Sequence, residues 1–212
     1  MNISFGMRAG EGAIERFSFL KGGAVKIKTI GTKEPAGICG SGLMDIVAAL
    51  VSHGVLGKSG KFVSSEKSDL PPAIAERLVL RDGKPVFLVT EEVWLTQKDV
   101  RQVQLAKGAI RAGVEVLLRE AGVAASSLNK VLIAGSFGFH LTAQSLTTIG
   151  LLPPEVAGSI KFVGNTAKSG GEAFLLNRDS RREMAQLVAG ISVVELAGCP
   201  DFDRVFVDYL SF

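Results

Sequence analysis

A chain of 212 residues, 47% hydrophobic and 21% charged, carries enough apolar material for one sizeable domain, which excludes global disorder. Its 24 Lys plus Arg against 21 Asp plus Glu leave a net charge of +3, too slight to mark a nucleic-acid or anionic-membrane surface. The two cysteines and two histidines form no CxxC or CxxxH spacing, so neither a metal centre from this chain nor a secreted disulfide scaffold is expected.

The start MNISFGMRAGEG has neither the basic nor the apolar stretch of a signal peptide, and no apolar run reaches the ~18 residues of a membrane span. A cytoplasmic location is expected. Residues 13–20 and 24–30 read as a β-hairpin turned by Lys21-Gly22-Gly23. The segment GICGSGL then opens a helix with Leu43, Ile46, Val47 and Leu50 on one stripe, stopped by Gly54. Residues 58–72 are polar and irregular, and a second hairpin follows with Asp82-Gly83 at its turn, so 58–92 is expected to be an excursion from the main body.

Thr96 and Asp99 make a capping-box pattern before a long helix carrying Val103, Ala106, Ile110, Val114, Leu117, Leu118 and Ala121, with Gly122 as its stop. The apolar run Val131-Leu132-Ile133-Ala134 reads as a strand covered on both faces, ending in Gly135-Ser136-Phe137-Gly138. Beyond it a short helix is expected at 142–150, a strand at 160–163, and a helix led in by Gly164-Asn165-Thr166. Ser180 and Glu183 suggest a cap for the next helix, residues 192–196 a last strand, and Phe202, Val205, Phe206, Tyr209 and Leu210 an amphipathic stripe. Hairpins in the first half and helix–strand alternation in the second define an α/β chain without internal repeats.

Three glycine-rich turns, at 37–42, 135–138 and 164–171, adjoin helices, and glycine lets backbone N–H groups at a helix start approach phosphate. Together they suggest a nucleotide site; for each taken alone, a helix cap or close packing is the more ordinary use. Gly57-Lys58-Ser59 is no P-loop, because Ser52 stands where the first glycine belongs, and GICGSG reads GxxGxG rather than the GxGxxG of a dinucleotide fold. His53 suits a helix C-terminus, His140 a local cap or contact, and Cys39 a buried thiol. Lys98, Arg101, Lys107, Arg111 and Arg119 read as the solvated face of the long helix.

The stretches ISFGMRAGEGAIE, GICGSGLMD, LTQKDVRQVQLAKGAIRAGVEVLL, VLIAGSFGFHL, IGLLP, VGNTAKSGGEA and PDFDRVFVDYLSF together resemble the C-terminal part of the reductive activators of corrinoid proteins, a family of iron–sulfur ATPases. The likeness runs from residue 3 to 212 and thins between 58 and 93. It implies a ribonuclease-H-like, actin-like lobe of the superfamily of acetate and sugar kinases, heat-shock chaperones and actin (ASKHA), with inserted hairpins, as a single domain over residues 1–212. By this resemblance Gly135, Ser136 and Gly138 lie beneath the nucleoside, Gly40, Ser41 and Gly42 lie beside ribose or phosphates, and Asn165 borders the same site. Ser136 stands where many relatives have a second glycine.

The implied cofactor is ATP or ADP with Mg, and the implied partner a corrinoid protein whose Co(II) is reduced to Co(I), with a homodimer as the expected assembly. The family's N-terminal 2Fe–2S domain, its middle domain and its Asp-Gly-Thr-type phosphate hairpin have no counterpart in this sequence, so the chain is expected to be part of a larger, ATP-hydrolysing protein and to be inactive by itself. The rival readings are a non-catalytic docking and dimerisation module, suggested by the aromatic ending with Phe202, Phe206, Tyr209 and Phe212, and a small-molecule kinase lobe.

Overall fold

The computed structural model describes residues 3–64, 69–135 and 140–212. β1 (Ala13–Phe19) pairs antiparallel with β2 (Val25–Thr29) through the expected glycine turn, with Gly22 and Gly23 at φ of 86° and 90°. On its other side β1 takes the two-residue strand β3 (Gly37–Ile38) in parallel, giving the order β2-β1-β3. Helix α1 (Gly40–Ser52) lies on this sheet with Leu43, Ile46, Val47 and Leu50 buried as their spacing requires, and Gly54 ends it at φ +70°.

The second hairpin is part of the core rather than an excursion from it. A single helical turn, α2 (Pro72–Ala75), precedes β4 (Leu78–Arg81) and β5 (Lys84–Leu88), and β6 (Trp94–Thr96) completes a sheet of order β4-β5-β6. Asp82 and Gly83, at φ of 50° and 71°, make the tight turn that a two-residue hairpin loop demands. Ile74, Phe87 and Leu95 are fully buried and join Ile14, Ile38 and the α1 stripe in one cluster. The polar sequence between the two hairpins hid this, because its apolar contributors are few and widely spaced.

Helix α3 (Gln97–Glu120) starts on the expected capping box, and its face differs from the expected one. Ile110 and Leu117 are half exposed at 49% and 51%, while Val100, Val103, Gln104, Lys107, Gly108, Arg111 and Ala112 point inward. Those positions also recur at three and four residues, so periodicity alone does not choose between the two faces. The choice comes from α7 (Phe202–Asp208) and residues 209–212, which lie across α3: Gly108 has no Cβ to push Leu210 and Phe206 away, and the Gln104 amide donates to the Leu210 carbonyl at 2.8 Å.

β7 (Val131–Ala134) and β8 (Ile160–Gly164) form a parallel pair. Its inner face, Val131, Ile133, Ile160 and Phe162, packs on Leu146, Leu152 and Val156 from α4 (Ala143–Thr148) and the turns after it. The outer face is open: Leu132 is 59% and Val163 41% exposed, contrary to the two-sided burial expected of a continuously apolar strand. α5 (Thr166–Leu176) and α6 (Arg178–Ala189) follow with no buried residue. Asn177, not Ser180, caps α6, its side chain accepting from the Asp179 N–H, and residues 192–196 form no strand.

Candidate functional site

The carboxyl ends of β7 and β8 are the place where an open parallel sheet receives ligands. Gly135 closes β7 with φ +102°, a conformation that L side chains avoid, and its N–H donates to the Gly164 carbonyl at 2.7 Å. A Cβ built on Gly135 would meet no atom of the described residues within 4 Å. Across the pair, Gly164 at φ +72° turns the chain into Asn165, whose side chain accepts from the Lys168 N–H and caps α5. Gly135 and Asn165 thus sit side by side at one sheet end, as the glycine pattern suggests; Ser136 and Gly138 lie outside the described residues.

The turn before α1 is built differently. Ser41 and Gly42 are buried, and a Cβ on Gly42 would stand 2.1 Å from the Ile14 carbonyl oxygen, so this glycine lets α1 sit on β1. Cys39 is buried with its thiol donating to the Ile14 carbonyl at 3.2 Å and lying 3.3 Å from the Ser41 hydroxyl, the quiet packing expected of it. Gly40 is partly exposed and borders a cavity of about 330 Å³ with Ile3, Gly6, Met7 and Arg8. Helix α1 has no side-chain cap, and its first internal bond runs from the Leu43 N–H to the Cys39 carbonyl.

A polar network ties the β7–α4 loop to the β1–α1 frame. Asp45, 6% exposed, pairs with the Arg16 guanidinium at 3.1 Å and accepts from the Ser145 hydroxyl at 2.7 Å. Arg16 also donates to the His140 carbonyl at 3.2 Å, and the His140 ring lies 3.8 Å from the Glu15 carboxylate. These contacts tie His140 to β1, 124 positions from Arg16 in sequence, rather than showing the local cap or contact expected of it. Sequence reading passed over Arg16, Asp45 and Ser145; the available sign was one acidic residue in the otherwise uncharged helix α1, on the side away from its apolar stripe. These side chains border a cavity of about 300 Å³ with Phe17, His53 and Thr142. His53 itself is structural, its Nδ1 lying 2.9 Å from the Ala49 carbonyl and its ring against Phe19.

Lys107 and Arg111 leave the solvated face assigned to them. Lys107, 2% exposed, donates to the Ser211 carbonyl and faces the Phe212 ring, while Arg111 lies over Tyr209 and pairs with Glu115 at 2.7 Å. Burial first, and the Arg111 charge second, bring the Lys107 pKa down from 10.5 to about 8. Among the described residues no three metal-ligating side chains converge, and no helix is long and apolar enough to cross a membrane.

Comparison with known proteins agrees with this architecture. The family model described as the C-terminal domain of RACo, the ASKHA domain, matches residues 1–212. The corrinoid activation enzyme RamQ of Eubacterium limosum is 31% identical over 97% of this chain and 36% of its own length. The [Co(II) methylated amine-specific corrinoid protein] reductase of Methanosarcina barkeri is 23% identical over 84% of this chain and 30% of its own. A solved reductive activator for corrinoid, iron–sulfur protein superposes with a TM-score of 0.86 at 32% identity, covering all of this chain and 34% of that one. The chain thus spans about a third of the length of the proteins it matches, and it belongs to the family of the C-terminal ASKHA domain of the reductive activators of corrinoid proteins.

Proposed function

We propose that this chain is the nucleotide-binding C-terminal lobe of an ATP-dependent reductive activator, which returns the Co(II) corrinoid of a methyl-transfer protein to Co(I). The observation that carries the nucleotide assignment is the sheet end at Gly135: a positive-φ glycine at the carboxyl end of a parallel strand, bonded to Gly164 and beside a helix start capped by Asn165. In this reading the nucleoside rests on Gly135, Ser136 and Gly138 with Asn165 at its border. Ribose or phosphates lie beside the α1 turn at Gly40, Ser41 and Gly42, through backbone groups, since the Ser41 side chain is turned inward.

The Arg16–Asp45–Ser145 network ties α4 and the His140 carbonyl to β1 and α1. Reduction of Co(II) consumes one electron, and a 2Fe–2S cluster in a part of the protein outside this chain would supply it. ATP can drive an uphill transfer only as far as it binds one conformation of the protein more tightly than the other. Docking to the corrinoid protein, a homodimer and a cytoplasmic location, all implied by the family likeness, belong to the same proposal.

The aromatic ending gives no support to a separate docking module, because Phe206, Tyr209 and Phe212 are turned onto α3 and the core. Calorimetric titration with Mg-ATP and Mg-ADP tests the nucleotide assignment. Saturable binding that disappears in Gly135→Val is expected. Equal binding by a folded Gly135→Val variant overturns the nucleoside site, and no binding by the wild-type chain removes the site from this lobe.

A further inference from the structure

A third cavity, of about 620 Å³, opens between the β4–β5 turn, β6 and the first turn of α3. Its β4–β5 side falls where the family likeness thins, while Lys98 stands in a matching stretch, and no described residue of the nucleotide reading lines it. Three cations line it, Arg81, Lys84 and Lys98, against one carboxylate, Asp82. None of the three cations has an ion-pair partner among the described residues. Like charges gathered without partners raise one another's energy, and an incoming anion lowers it.

The guanidinium is already oriented. Its central carbon lies 3.8 Å from the centroid of the Trp94 ring, which is itself braced by the edge of Phe5 with centroids 4.3 Å apart. Stacking fixes the plane of an arginine while leaving its N–H edges available, and here the Glu91 carbonyl takes one of them at 3.4 Å. Lys98 stands in the first turn of α3, whose amide end is already served by the Asp99 carboxylate, so the positive field of the cavity comes from the three side chains. The volume lies within the range of about 300–1,000 Å³ usual for small-molecule sites.

We infer that this cavity binds a small organic anion bearing two or more phosphate or carboxylate groups, held between Arg81, Lys84 and Lys98 beside Trp94. Trp94 is the sole tryptophan of the chain, so its indole N–H gives a single resonance in a ¹H–¹⁵N spectrum. The experiment titrates the labelled chain with pyrophosphate and, separately, with citrate, each against sodium chloride of matched ionic strength. A saturating movement of the indole resonance is expected, weakened about tenfold or more in the Lys84→Gln/Lys98→Gln double variant. The tighter of the two probes distinguishes a phosphate from a carboxylate ligand. An indole resonance that follows only the salt control overturns the inference, as does an unchanged titration in a double variant whose starting spectrum matches the wild type.

Discussion

Two glycines that look alike in sequence do different work at the residue scale. Gly42 has ordinary helical surroundings but no room, since a methyl group there would overlap the Ile14 carbonyl oxygen, whereas Gly122 ends α3 at φ +63° with open space around it. Gly42→Ala must push α1 off β1 and is expected to cost at least the upper end of the about 1–3 kcal/mol usual for overpacking. Gly122→Ala pays only the left-handed backbone penalty of about 1–2 kcal/mol. Urea denaturation of both variants checks the order, and equal losses would refute the packing role of Gly42. Lys107 gives a second test, with a definite sign. Its folded-state pKa of about 8 lies below the unfolded 10.5, so between these values the unfolded chain binds more protons and stability rises with pH. The slope from this one group is at most about 1.4 kcal/mol per pH unit. Below about pH 8 the buried ammonium is a constant cost. Lys107→Met is expected to gain relative to wild type at about pH 7.5 and to lose that advantage by about pH 10; a difference that does not change with pH would show that Lys107 is not the group responsible.

Element by element, local chemistry was legible where a few neighbouring residues decide the outcome. Lys21-Gly22-Gly23, Asp82-Gly83, the Thr96/Asp99 box and the Asn165 turn all occur as read, because each satisfies its own backbone within four residues. The face of α3 was not legible, because it is chosen by residues 206–212, about a hundred positions away, whose carbonyls collect Gln104 and Lys107. Ser180 was mistaken for a cap for a related reason: Asn177 comes first and already serves the Asp179 N–H. At the candidate site the glycines at strand ends could be read from sequence, while the Arg16–Asp45–Ser145 network could not, since it joins three elements brought together only by folding. Asp99 shows how far one cap can extend. It accepts from the Thr96 N–H and hydroxyl, and also from the Ser4 N–H at 2.9 Å, so it fastens the first segment of the chain to α3. Asp99→Ala is therefore expected to cost more than the about 1 kcal/mol of an ordinary cap, on the order of 2–3 kcal/mol. Hydrogen exchange should show the amides of residues 3–7 losing protection together with the first turn of α3; loss confined to the helix would mean that the Ser4 bond contributes nothing.

Over the whole molecule, burial is uneven in a way that tracks the sequence of layers. Ile14, Ile46, Leu50, Phe87 and Leu95 are fully enclosed in the cluster shared by the first two sheets, α1 and the start of α3. Past β8, by contrast, Leu175, Leu176, Leu187, Val188, Ile191 and Val193 all stand 66% or more exposed. These positions have the apolar character of core residues, which is why residues 192–196 read as a strand, yet nothing within the described residues covers them. A helix that buries no side chain is held by its own backbone bonds and by its neighbour, which gives little resistance to local opening. α5 and α6 lie close enough that a Cβ added at Gly170 would touch Met184, and Arg181 reaches back to the Phe174 and Leu175 carbonyls at 2.6 and 3.0 Å. The amides of α5 and α6 are thus expected to exchange with solvent well before those of α1, although all three helices have comparable lengths. Because the candidate nucleoside site takes Asn165 from the start of α5, saturating Mg-ADP should slow exchange in the first turn of α5 and leave α1 beyond its first turn unchanged. Hydrogen exchange resolved to single helices decides both points: protection in α5 equal to that in α1 without ligand would contradict the burial argument, and unaltered exchange at 166–169 with nucleotide bound would take Asn165 out of the site.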